Sequence, residues 1–191
     1  MSMLGRLGVW TFFDGMPMPQ AAAVAKRIEA WGYPSLWLPE AIGRDPFVLI
    51  AHLGAHTERL VFATGIANIY ARDAMAMNTL RLTTGESTGG RFVLGIGVSH
   101  GHLVAGVRGH TYEKPVSTMR AYLDGMAKAL YMAPKPAVEP PIVLAALRPK
   151  MLALAAEKAA GADHVCIQPL HPDGLPAPDE KVLELLAPAK S

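Results

Sequence analysis

Three stretches of the chain carry residue types that could do chemistry on a bound ligand. The first is Thr64-Gly-Ile-Ala-Asn-Ile-Tyr-Ala-Arg-Asp73. An apolar strand that ends in glycine and runs on into Asn, Tyr and Arg can bulge and present a flat apolar surface. Such a surface suits one face of an aromatic ring system, and the same residues also suit an ordinary strand end followed by a helix cap. The second is Gly95-Ile-Gly-Val-Ser-His100-Gly-His102. It is a weak match to a glycine-rich nucleotide loop, because no helix opens promptly after it and no G-x-G-x-x-G is complete. Histidine titrates near neutrality, so His100 and His102 are acid–base candidates. They fit solvated loop positions equally well. The third is Leu147-Arg-Pro-Lys-Met151, at the start of a helix. A helix start offers free N–H groups and the positive end of a dipole, which favour phosphate. Arg148 and Lys150 add charge there, and the alternative is a plain solvated helix start.

Other candidates carry less. The i, i+2 spacing of His100 and His102 lacks a nearby carboxylate, so no metal site is expected. His52 and His56 fall on a helix away from the strand ends, at the edge of the core. Cys166 is the single cysteine. It excludes an internal disulfide, and its mid-strand place suits a small buried hydrophobe. Met75, Met77, Met119, Met126 and Met151 fall on helices and suit packing.

These residues are positioned by a repeated alternation of short apolar runs and longer helical stretches. Strands are expected at Leu7 to Phe12, Ser35 to Pro39, Leu60 to Ile69, Arg91 to Val98, Ile142 to Leu147 and His164 to Leu170. Helices are expected at Pro19 to Trp31, Asp45 to His56, Asp73 to Thr84, Ser117 to Tyr131, Pro149 to Ala160 and Asp179 to Leu186. Asp45 and Asp73 read as N-caps, Pro46 as a first helical residue, and Ser117 as a cap. His100 to Tyr112 reads as a long loop, and the four prolines between Ala133 and Pro141 enforce irregular chain. Continuous apolar strands, each followed by a helix, argue for a parallel sheet covered by helices. An open doubly wound sheet and a (β/α) barrel both fit, and both place the ligand at the carboxyl ends of the strands. The residues to read are then Phe13-Asp14, Glu40, Gly65 to Arg72, Gly97 to His102, Leu147 to Lys150 and Gln168 to His171.

Composition sets limits on this picture. At 191 residues the chain suits one domain, taken as 1–191. It is 51% hydrophobic and only 18% charged, with mean hydropathy +0.22, so it can bury a sizeable core and a subunit interface. The net charge of +2 is scattered, with no basic stripe for a nucleic acid. No apolar run approaches the ~18 residues of a membrane span. The first residues show no signal-peptide pattern, and a reducing, cytoplasmic setting is expected.

Several stretches together carry a family likeness. They are Leu7-Gly-Val-Trp10, Gly32-Tyr-Pro-Ser-Leu-Trp-Leu-Pro-Glu40, Ala63 to Asp73, Gly89 to His100, Gly109-His-Thr-Tyr-Glu-Lys-Pro115, Met119-Arg-Ala-Tyr-Leu-Asp124, Leu147 to Gly161 and Ala162 to Leu170. The chain resembles the luciferase-like monooxygenase superfamily, and within it the deazaflavin-dependent oxidoreductases that use coenzyme F-420. The resemblance implies a (β/α)₈ barrel, a fold that typically takes ~250 residues. Six strands are legible here, with two βα units missing at the junction of Gly161 and Ala162. The expected fold is therefore an α/β, TIM-barrel-like domain with about six of eight units. Open edges invite pairing with another chain, so a homodimer is expected.

The resemblance also assigns residues. It implies that the ring stacks on Gly65, Ile66, Ala67 and Asn68, with a non-prolyl cis peptide at Gly65-Ile66. Gly97, Val98 and Ser99 become a cofactor wall. Glu40 and His100 become the catalytic candidates, and the position after Glu40, a histidine in several relatives, is Ala41 here. Where the family commonly has Gly-Pro before the phosphate, this chain has Arg148-Pro149 followed by Lys150. The implied cofactor is F-420, with FMN as the alternative, and the implied reaction is hydride transfer to or from a small organic molecule. The competing readings are a flavin-binding or remnant barrel without turnover, a truncated chain without function, and an unrelated doubly wound nucleotide binder.

Overall fold

Among the described residues, apolar runs followed by amphipathic stretches fold as strands followed by helices. The computed structural model describes residues 3–146, 149–158, 165–167, 180 and 184. In chain order these form β1 (Leu7–Trp10), α1 (Met18–Ala30), β2 (Ser35–Leu38), α2 (Pro46–Gly54), β3 (Val61–Thr64), β4 (Ala67–Asn68) and α3 (Ala74–Ser87). They continue with β5 (Phe92–Gly97), α4 (Pro115–Lys128), β6 (Ile142–Leu144), α5 (Pro149–Lys158) and β7 (Val165–Ile167).

Every strand pairing is parallel. The order across the sheet is β6-β5-β3-β2-β1-β7, with β4 lying beside β5 beyond the end of β3. Among the described residues β6 pairs only β5, and β7 pairs only β1, so the arc does not close. The fold is an incomplete (β/α) barrel. The junction at Gly161 and Ala162, where two units were expected to be missing, lies outside the described residues.

Side chains alternate between the two faces of each strand. Val9, Leu36, Leu38, Phe62, Phe92, Leu94 and Ile96 point one way and join Ala21, Ile28, Ile50 and Met77 of the helices in the main core. Trp37, Val61, Ala63 and Val93 point the other way and form a smaller cluster with Leu4, Trp10 and Val143. Among the described residues that second face contains no helix residue, as the inside of a barrel requires.

Caps fix where the helices begin. The Asp45 carboxylate accepts from Phe47 N at 2.9 Å and Val48 N at 3.1 Å, with Pro46 in the first turn. Asp73 accepts from Ala76 N at 2.8 Å. Two expectations need correcting. Ser117 does not cap α4. The helix starts at Pro115, whose locked φ suits the first helical position, behind Lys114 at φ 43°. The stretch from His100 to Tyr112 is not a plain loop: His102–Val107 winds into a π-helical segment, anchored by the fully buried Val104.

Candidate active site

The strand expected over Leu60 to Ile69 breaks at Gly65. There the chain leaves β3, passes a cis peptide bond between Gly65 and Ile66, and re-enters the sheet as β4 beside β5, with Asn68 opposite Gly97. Gly65 N donates to Leu38 O at 2.7 Å, and Trp10 Nε1 donates to Gly65 O at 2.5 Å. A β-carbon on Gly65 would lie 2.8 Å from the Trp10 ring and 3.3 Å from Trp37 Cβ, so only glycine lets the backbone approach the two indoles.

Ile66, projected by this bulge, lines a cleft of about 850 Å³ at the carboxyl ends of the strands. Gly97, Val98 and Ala145 line it beside Ile66. Ser99, His100 and Tyr112 border it on the loop after β5, and Pro149, Lys150 and Met151 border it at the start of α5. A β-carbon on Gly97 would sit 3.0 Å from Ile66 Cγ1 and 3.2 Å from Ala145 Cβ, so its absence keeps this wall flat. Ser99 holds a left-handed φ of 56°, and its carbonyl accepts from the Tyr112 hydroxyl at 3.3 Å. His100 is exposed at the mouth, and Lys150 is exposed on the first turn of α5. The wall is mostly apolar, with a hydroxyl, an imidazole and an ammonium at its border. That is the usual make-up of a small-molecule site.

The structure thus brings Ile66, Gly97, Val98, Ser99, His100 and Lys150 into one cleft. Ala67 and Asn68 are fully buried behind it. Arg148 lies outside the described residues. Glu40 does not line the cleft. Its Oε2 accepts from Asn68 N at 2.7 Å and Arg72 Nη1 at 2.9 Å, and its Oε1 accepts from Arg72 Nη2 at 2.5 Å. Burial disfavours the Arg72 charge, but Glu40 and Asp45 outweigh that and hold its pKa above the ordinary value. The guanidinium also lies 5.0 Å over the Phe47 ring. Glu40 is thus held in a largely buried ion pair with Arg72.

Tyr112 and Ala145 are cleft residues that sequence reasoning did not single out, and Met151, at the end of the Leu147 to Met151 stretch, also lines the cleft although it reads as packing in the sequence. Tyr112 stands inside the family-like Gly109 to Pro115 stretch, so a signal was present there. Ala145 carries none. His52 and His56 sit on α2 with rings 4.5 Å apart and His56 Nδ1 2.8 Å from His52 O, away from the cleft. Among the described residues no three His, Cys, Asp or Glu side chains form a metal-binding group. Among the described residues no helix is long and apolar enough to cross a membrane.

The luciferase-like monooxygenase family profile matches residues 3–169. A protein of Mycobacterium tuberculosis, provisionally named a coenzyme F420-dependent oxidoreductase, is 30% identical over 186 residues, covering 80% of this chain and 52% of its own length. An F420-dependent secondary alcohol dehydrogenase, solved with an F420–acetone adduct, superposes with a TM-score of 0.71 at 14% identity, over 87% of this chain and 58% of that one. The oxygenating constituent of 3,6-diketocamphane monooxygenase from Pseudomonas putida, solved with FMN, gives a TM-score of 0.63 at 16% identity, over 85% of this chain and 57% of that one. The chain therefore spans about half the length of these relatives. Parallel βα units, the bulge after β3 and a profile match over most of the chain lead to one conclusion: this protein belongs to the luciferase-like monooxygenase family.

Proposed function

We propose that the chain binds a flavin-type ring in the Ile66 cleft and serves an oxidoreductase that exchanges hydride with a small organic molecule. The observation that carries this reading is the flat wall of Ile66, Gly97 and Ala145 between His100 and Lys150. It matches a planar apolar ring with an anionic tail. The residues present fit such a group: the cradle between Ile66 and Ala145 is one that a β-carbon on Gly97 would fill.

Ile66, Gly97 and Val98 would hold the ring face, and Ser99 its border. Lys150 and the first-turn N–H groups of α5 would meet the phosphate. A bound deazaflavin or flavin supplies the hydride chemistry. The protein supplies orientation, water exclusion and a proton at His100. F-420 is favoured over FMN because the mycobacterial relative bears the F420 name at 30% identity, whereas the FMN-bound neighbour shares the fold at 16%. The substrate is a small molecule rather than a nucleic acid or a membrane, and the setting is cytoplasmic. Among the described residues the outer edges of β6 and β7 have no strand partner, and such edges favour a homodimer. They equally favour a second reading, a flavin-binding remnant without turnover, because an open arc leaves part of the substrate wall unbuilt.

Titration with oxidised F-420 and with FMN, followed by tryptophan fluorescence, tests the reading. Trp10 and Trp37 lie beside Gly65 at the base of the bulge and report occupancy. Saturable micromolar binding of either cofactor is the expected result, and a folded protein that binds neither removes the proposal. Light scattering tests the dimer, which a monomeric mass excludes.

A further inference from the structure

The Glu40–Arg72 pair stands behind the cleft and reaches it only through the bulge. The Glu40 side chain is 7% exposed and that of Arg72 12%. Four hydrogen bonds to three residues tie Glu40 to this region from different directions. Its backbone N–H donates to Ile66 O at 3.2 Å, its carboxylate accepts from Asn68 N, and Arg72 occupies both carboxylate oxygens. Ile66 is thus bracketed by bonds to the residue itself and to the residue two further on. Arg72 is in turn anchored by Asp45 at 3.1 Å, by the Phe47 ring, and by the Tyr122 hydroxyl, which donates to its carbonyl at 2.8 Å. Burial raises the Tyr122 pKa, so that hydroxyl keeps its proton and remains a donor.

We propose that Glu40 and Arg72 are positioning residues: they fix the Ile66 bulge as a rigid backstop for the ring, and Glu40 transfers no proton. The inference rests on the cofactor reading above. A side chain that carries binding geometry is only as well placed as the groups that hold it. Here the holding group is an ion pair with little access to water. Removing one partner leaves an uncompensated charge, whereas removing both need not.

The test compares wild type, Arg72→Met, Arg72→Lys and the double variant Glu40→Leu/Arg72→Met. Each is titrated with riboflavin, FMN and F-420, while the visible circular dichroism of the bound ring is recorded. Arg72→Met is expected to raise Kd about tenfold for riboflavin and FMN alike and to flatten the induced dichroism, since the backstop touches the ring and not the phosphate. Arg72→Lys should restore part of both. A purely structural role would lower the melting temperature without changing the dichroism of the bound ring. Folded Arg72→Met protein with wild-type Kd and dichroism overturns the proposal. If Arg72→Met does not fold, the double variant replaces it, and the same wild-type values there overturn it equally. Wild-type protein that binds none of the three ligands brings down the cofactor reading itself, a result distinct from intact binding in the variants.

Discussion

Gly97 and Ile66 meet across the bulge so closely that a β-carbon on Gly97 would lie 3.0 Å from Ile66 Cγ1 and 3.1 Å from Cδ1. The contact joins the end of β5 to the end of β3 and makes one wall of the cleft from two elements. Gly97→Ala must push the isoleucine toward the cleft or push Ala145 outward. Overpacking of this kind costs about 1–3 kcal/mol. The expected outcome is a modest fall in melting temperature and a Kd for F-420 or FMN raised at least about tenfold, since about 1.4 kcal/mol is tenfold. Gly97→Leu should abolish binding in protein that still folds. Unchanged binding in Gly97→Leu would place the ring elsewhere.

Lys150 sits on the first turn of α5, where dipole and side-chain charge act on the same side of an anion. The residue is exposed, so its Coulomb contribution is small, on the order of 1 kcal/mol. Lys150→Ala should weaken FMN about fivefold and leave riboflavin unchanged, because only FMN carries a phosphate. The difference between the two ligands should shrink as salt is raised. Equal losses for both ligands would mean that Lys150 does not meet the tail.

The fold was legible because each strand is a continuous apolar run that a helix covers, as Phe62 and Phe92 show on β3 and β5. The site was legible as far as backbone requirements write themselves into residue type. Gly65 and Gly97 are needed where chains approach closely, and they could be read. The partner of Glu40 could not, because Arg72 stands 32 residues away and its guanidinium reaches the carboxylate only once the bulge has formed. A carboxylate after a strand looks the same in sequence whether it faces a substrate or an arginine. The π-helical segment was missed for a similar reason. Its glycines and histidines read as loop, while the burial of Val104 that holds it depends on tertiary packing. Ala145 became part of the site only through register, by lying where β6 runs out beside Gly97.

Glu29 predicts how stability varies with pH. Its carboxylate, at the end of α1, accepts from Glu58 N at 3.0 Å, Arg59 N at 2.6 Å and Leu60 N at 2.7 Å, tying the helix to the start of β3. Burial pushes its pKa up, but the three N–H bonds outweigh that and hold it below the ordinary value. A depressed folded-state pKa means that the unfolded chain takes up this proton first as pH falls. The contribution is therefore complete above about pH 4.3 and is lost as pH drops through the lower folded value. Glu29→Gln should cost roughly 1 kcal/mol at neutral pH, the lower end for a charged hydrogen-bonded group because Glu29 is only half-buried. Its urea midpoint should also fall less than that of wild type between pH 5 and pH 3. Parallel curves for the two proteins would remove Glu29 as the cause.

Among the described residues His100 is the one imidazole that lines the cleft, and the turn that carries it is held on both sides. Before it, the Ser99 carbonyl accepts from the Tyr112 hydroxyl; after it, the Tyr112 ring lies 3.3 Å from where a β-carbon on Gly101 would stand. Tyr112 therefore fixes the approach of His100 without blocking the mouth. A positioned general acid or base contributes about 10²–10⁴-fold to a rate, while adding little to the binding of a ring that it does not stack on. His100→Gln should thus leave the Kd for F-420 or FMN within about twofold of wild type, well under one decade of affinity. Hydride exchange with a small carbonyl or alcohol should slow by about two decades or more. Tyr112→Phe should give a smaller loss of rate, also without loss of affinity, because it loosens the turn but keeps the imidazole. If His100→Gln binds and turns over like wild type, proton transfer is served by solvent and the imidazole is a bystander at the rim. If binding collapses instead, His100 holds the cofactor, and the acid–base role falls.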